Sequence, residues 1–275
     1  MKNHLYFFAL SLLLIWSCNN TSSETNQSDD MAQFAEDEQF KDAHEEPTKV
    51  AVKAEGKTIE FDTPDGQKAA AFAILPEGQT ENYLFVIHEW WGLNDNIKRE
   101  AQMLADSLDN VAVLALDIYD GKVADNPDDA GKLMQGVNKE RAEAIVNGAI
   151  AYTGENAKIA TIGWCFGGGW SLKSSILANE KAAGCVMYYG MPVQTKEELA
   201  PLQADVLGIF AKEDKWITPE VADNFANLAK EENKNVQVHI FDADHAFANP
   251  SSPRYVEDAA QKANALALAF LREKL

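Results

Sequence analysis

Lys158-Ile159-Ala160-Thr161-Ile162-Gly163-Trp164-Cys165-Phe166-Gly167-Gly168-Gly169 is the stretch on which the fold turns. A short apolar run, 158–163, ends in Gly-x-Cys-x-Gly and continues into a helix-like segment at 166–177. The pattern is the Gly-x-Ser-x-Gly turn with cysteine in place of serine. Its glycines lie two before and two after the nucleophile, where a tight strand-to-helix turn presses against neighbouring backbone. Such a turn lifts the Cys165 sulfur above a sheet and beside a helix N-terminus, whose unpaired amides and dipole favour a thiolate. The amide of Phe166 is then placed to donate to an oxyanion. A buried structural cysteine fits the same twelve residues. A phosphate loop or dinucleotide site does not, because no Lys-Ser/Thr follows the glycines and no Gly-x-Gly-x-x-Gly can be read.

Working outward, apolar runs at 83–88, 111–116, 158–163, 184–189, 205–211 and 236–241 have the length and content of strands buried on both faces of a parallel sheet. Helix-like stretches at 95–108, 139–152, 166–177, 219–231 and 254–275 separate or follow them. Pro219 behind Thr218, and Pro253 behind Ser252, are expected as first-turn prolines. Two alternating runs, 58–62 and 69–75, flank the turn signal Pro64-Asp65-Gly66 and are expected as an edge hairpin. The layout predicts an α/β fold: a doubly wound, mostly parallel sheet with helices on both faces and a site beyond the carboxyl ends of the strands.

Two later strand ends supply groups a cysteine nucleophile needs. The run 205–211 leads into Lys212-Glu213-Asp214, and 236–241 leads into Asp244-His245. A histidine requires a carboxylate to fix its tautomer and stabilise its cation, and either Glu213 or Asp214 can provide it, the shorter Asp214 being preferred. His239 is assigned to packing, and His4 and His44 to segments outside the domain. His88, at a strand end, is a lesser candidate. Ser171 and Ser174 fall inside a helix and make poor nucleophiles.

The chain has 275 residues, 46% of them apolar, enough for one large core and terminal extras. Its net charge of -19 argues against a nucleic-acid partner, which needs clustered Lys and Arg. Cysteines 18, 165 and 185 show no zinc spacing, and His88-Glu89-Trp90-Trp91-Gly92 departs from His-Glu-x-x-His at Gly92, so neither metal nor cofactor is expected. Residues 1–18 combine a basic start, an apolar run too short to span a bilayer, and Ser17-Cys18, the parts of a secretory signal. Ile15-Trp16-Ser17-Cys18 resembles a bacterial lipobox, which implies lipidation at Cys18 and an extracytoplasmic, envelope location anchored by lipid alone. Residues 19–48 are polar and acidic and are expected as a flexible tether. Residues 49–275 are expected as the catalytic domain, a monomeric unit.

Four motifs together resemble the dienelactone hydrolase family of the α/β-hydrolase superfamily, from about Lys57 to the C-terminus: His88-Glu89-Trp90-Trp91-Gly92-Leu93-Asn94, Gly163-Trp164-Cys165-Phe166-Gly167-Gly168, Phe210-Ala211-Lys212-Glu213-Asp214 and Asp244-His245-Ala246-Phe247-Ala248-Asn249. The resemblance implies Cys165 as nucleophile, Asp214 as acid and His245 as base. It further implies that Glu89 interacts with the resting cysteine and helps form the thiolate, and that the Trp90 amide joins that of Phe166 in the oxyanion hole. The implied substrate is a small-molecule ester or lactone, cleaved through a thioester. Asn249 stands where family members that bind the lactone carboxylate carry an arginine. The alternative is a lipid-anchored binding or envelope protein that keeps the fold without the chemistry.

Overall fold

The computed structural model describes residues 30–48 and 54–275. The expected signal and Cys18 lie outside them. Eight strands form one sheet: β1 (Lys57–Asp62), β2 (Lys68–Ile74), β3 (Asn82–Ile87), β4 (Ala112–Leu116), β5 (Lys158–Trp164), β6 (Ala182–Tyr188), β7 (Asp205–Ala211) and β8 (Val236–Phe241). Their order is β1-β2-β4-β3-β5-β6-β7-β8. The β1–β2 hairpin and the β2–β4 pairing are antiparallel, and every pairing from β4 to β8 is parallel. Strands β4 and β5 are buried almost throughout, as strands covered on both faces must be.

The helices are α1 (Glu38–Asp42), α2 (Asp95–Ser107), α3 (Pro127–Gln135), α4 (Lys139–Tyr152), α5 (Phe166–Ala178), α6 (Lys196–Leu199), α7 (Pro219–Glu231) and α8 (Glu257–Lys274). They cover both faces of the sheet. Helices α2 and α8 are joined where Arg272 donates to the Ser107 carbonyl, 2.9 Å away. Side-chain caps set several starts: Asn94, Asn126 and Asn138 each accept an amide in the first turn of α2, α3 and α4. Pro219 occupies the first turn of α7 as expected. Pro253 does not open α8, which begins at Glu257. The chain is held off the helix where the Val256 amide donates to the Phe247 carbonyl (3.0 Å) and Arg254 pairs with Asp244.

The largest departure from expectation lies in 30–48, assigned from composition to a flexible tether. Asp30–Phe34 forms a 3-10 turn and α1 follows, with Met31 and Phe40 wholly buried and Ala35 1% exposed. Asp37 caps α1 through its Oδ1, while its Oδ2 accepts a hydrogen bond from Trp216 Nε1 at 3.1 Å. The segment rests against α3, where Lys41 pairs with Asp128 at 3.1 Å. A few apolar side chains suffice for docking because the domain supplies the complementary aromatic surface.

Candidate active site

Cys165 follows β5 directly and initiates α5 with φ +55°, a left-handed conformation costly for any residue with a Cβ. Surrounding contacts enforce it. The Cys165 amide donates to the Tyr188 carbonyl at 3.0 Å, and a Cβ at Gly163 would stand 2.0 Å from the Gly167 carbonyl oxygen. Tyr189 and Ala246, at the ends of other segments of the site, share the left-handed region.

Asp214 and His245 come together at the ends of β7 and β8. Asp214 is 3% exposed; its Oδ1 accepts the amides of Trp216 and Ile217, both at 2.9 Å, and its Oδ2 lies 2.5 Å from His245 Nδ1. Glu213, the competing carboxylate, points to solvent. With Nδ1 committed to the carboxylate, the lone pair of His245 resides on Nε2, which makes no standard hydrogen bond among the described residues and faces Cys165. Burial disfavours the charged imidazole, but the Asp214 carboxylate, and then the charge on an ionised Cys165, override it and raise the His245 pKa, which makes the neutral ring a strong acceptor for the thiol proton. Burial, only partly countered by His245, pushes the Cys165 thiol up, so the resting sulfur keeps its proton.

Glu89 lies just past β3 and is 7% exposed. Burial raises its pKa from 4.5 to about 7, although the His245 charge and a hydrogen bond from Asn249 act the other way. Asn249 Oδ1 accepts from the Ser251 amide (2.8 Å), which turns its Nδ2 toward Glu89 Oε2, 2.6 Å away. Asn249 thus holds the glutamate with a neutral donor. Phe166 and Trp90 are both fully buried beside the turn that carries Cys165. The Phe166 amide bears on the Cys165 sulfur and lowers its pKa slightly.

A buried carboxyl with a raised pKa destabilises the fold as it ionises. The folded chain keeps the Glu89 proton between about pH 4.5 and 7 while the unfolded chain releases it, so stability falls as pH rises through that window. Glu89→Gln should match the wild type at pH 4 and exceed it at pH 8, by on the order of 3 kcal/mol. Urea midpoints at the two pH values check this; an equal difference at both would mean the carboxyl does not titrate in this environment.

His44 is the residue the sequence reading missed. It follows α1, is 7% exposed, and its ring lies 5.0 Å from that of His245 and 4.9 Å from that of Trp90. Phe40 packs beside it, with ring centres 5.1 Å from Trp90, 5.2 Å from Trp216 and 6.1 Å from His245. Together with Glu45 and Pro47 they close the mouth of the site: the void bounded by His44, Glu89, Trp90, Cys165, Asn249 and Ser251 measures only about 10 Å³. His88, a lesser candidate, is structural. Its Nδ1 donates to the Glu89 carbonyl (2.6 Å) and its Nε2 accepts the Ile118 amide (3.2 Å), tying the β3 end to β4, and burial lowers its pKa to about 4. Cys185 is a core residue of β6, with Ser171 Oγ 3.5 Å from its sulfur.

A parallel sheet with a strained residue between strand and helix, and an acid–histidine pair on later strand ends, defines an α/β-hydrolase. Residues 69–275 match the dienelactone hydrolase family, and the chain belongs to it as a hydrolase. Among its relatives, protein usf of Aquifex pyrophilus is 29% identical over 80% of this chain and 99% of its own length. The carboxymethylenebutenolidase of Pseudomonas putida is 26% identical over 78% of this chain and 94% of its own. A crystal structure of a dienelactone hydrolase-like promiscuous phosphotriesterase from metagenomic libraries superposes with a TM-score of 0.69 at 21% identity, covering 80% of this chain and 98% of that one.

Proposed function

We propose that this hydrolase cleaves a small ester or lactone by acyl transfer to Cys165. The observation that carries the reading is the alignment of Asp214 Oδ2 on His245 Nδ1 at 2.5 Å, with the opposite ring nitrogen turned to the cysteine sulfur. His245 takes the thiol proton as the sulfur attacks the carbonyl, and the amides of Phe166 and Trp90 receive the oxyanion. The proton passes to the departing alkoxide, leaving a thioester; His245 then activates water, which releases the acid and restores the thiol. Glu89, close to neutrality in its proton balance, receives or returns a proton beside the sulfur, and a neutral Asn249 keeps it poised there.

The named activity of the carboxymethylenebutenolidase relatives supports a lactone substrate, while Asn249 removes one cation that would hold a substrate carboxylate. Uncharged activated esters are therefore expected to be turned over faster than dienelactones. Parallel assays of 4-nitrophenyl acetate and a dienelactone test this, and turnover of neither would refute the proposal. Attachment of the enzyme outside the cytoplasm through lipid on Cys18 is part of the same proposal and rests on the sequence of 1–18. Palmitate labelling that persisted in Cys18→Ser would contradict it.

A further inference from the structure

Three lone-pair donors meet under the N-terminal segment. One ring nitrogen of His44, one of His245 and Cys165 Sγ all lie within 4.8 Å of one another, and all three side chains are buried. Both histidines are held in the tautomer a metal requires. His44 Nδ1 lies 2.6 Å from the Phe40 carbonyl, which can only accept, so Nδ1 carries the hydrogen and Nε2 the lone pair. His245 Nδ1 is committed to Asp214 in the same sense, giving the carboxylate–histidine arrangement that commonly backs a metal ligand. Neither Nε2 has a hydrogen-bond partner among the described residues, and leaving such an atom buried and unmet is costly.

We propose that His44, Cys165 and His245 form an inhibitory Zn²⁺ site, closed by the N-terminal segment. Two imidazoles and a thiolate are a donor set zinc prefers over magnesium or calcium, which seek oxygen. Tetrahedral ligands at ordinary Zn–N and Zn–S lengths sit roughly 3.3–3.6 Å apart, so the three atoms need only draw together by about an ångström. The void beside His44 and Cys165, about 10 Å³, leaves no room for an ester while the N-terminal segment is in place. On binding, the thiol proton leaves to solvent and sulfur becomes a zinc thiolate; the metal then holds the lone pairs of both the nucleophile and its base. Because His44 belongs to the N-terminal segment, the same bond fastens that segment over the site.

The binding claim is independent of the catalytic proposal, and only its inhibitory consequence rests on it. Chelator-treated full-length chain is titrated with Co²⁺ and then Zn²⁺. One equivalent of Co²⁺ should give a thiolate-to-metal charge-transfer band and tetrahedral visible bands, both erased by Zn²⁺. Cys165→Ser should lose the charge-transfer band and Cys185→Ala keep it. His44→Ala and His44→Gln should each weaken metal binding at least 10-fold, with folding checked by circular dichroism. Absence of the band in the wild type, or unchanged affinity in both folded His44 variants, would overturn the site. A band with no ester turnover by metal-free enzyme sustains the site and defeats the hydrolytic mechanism instead, whereas turnover without a band defeats the site alone.

Discussion

Cys165→Ala is expected to lower kcat/KM on an activated aryl ester by at least about 10⁴-fold, while Cys185→Ala leaves it within a few-fold of wild type. Removing the sulfur deletes the only group at the elbow able to form the acyl intermediate. The oxyanion amides remain, but they act on charge that no longer develops. The substitution is mild for the fold, since alanine retains the Cβ and the Cys165 amide still donates to Tyr188. A Cys165→Ala enzyme retaining a tenth of its rate, with unchanged stability, would place the chemistry elsewhere.

Phe40→Ala should accelerate alkylation of Cys165 by iodoacetamide at least 10-fold. Cys165 is 1% exposed, and Phe40 stands between Trp90, Trp216 and His245. Reagent and substrate therefore reach the sulfur only after the segment lifts, and the observed rate follows the open fraction. Truncating a buried Phe costs about 3–5 kcal/mol. Here the loss falls first on docking of the segment that carries Phe40, since Phe40 sits in α1 and none of the sheet strands includes it. At 1.4 kcal/mol per tenfold in an equilibrium constant, even part of that loss exceeds the predicted acceleration. Cys185, fully buried in β6, should remain inert in both proteins and serves as the internal control. Equal alkylation rates would show that residues 30–48 do not guard the site.

The elbow and its partners were legible because each is specified locally. The glycines flanking Cys165 are dictated by close backbone contacts around the turn, and Asp214 and His245 sit at ends of apolar runs that follow Cys165 in the chain. The choice between Asp214 and Glu213 needed the fold, since one residue separates a carboxylate bonded to two amides from one in solvent. Helix α3 was readable in hindsight: Asn126 caps it, Pro127 fills its first turn, and Asp128 and Asp129 follow. Phe40 and His44 were not, because Met31, Ala35 and Phe40 are too sparse to mark a core by themselves. Their burial depends on Trp90 and Trp216, which come from distant loops. Only the Asp37 cap with Glu38 behind it hinted that the segment holds a helix at all.

Stopping the reaction midway tests the mechanism most directly. The chain is mixed with 4-nitrophenyl acetate, quenched in acid within the first turnovers, digested, and its peptides weighed. An acetyl group on the peptide containing Cys165, removable by hydroxylamine and absent from Cys165→Ser as a thioester, is the predicted result. Release of nitrophenol in a burst with no acyl group on Cys165 at any quench time, or with the group on another residue, would contradict it.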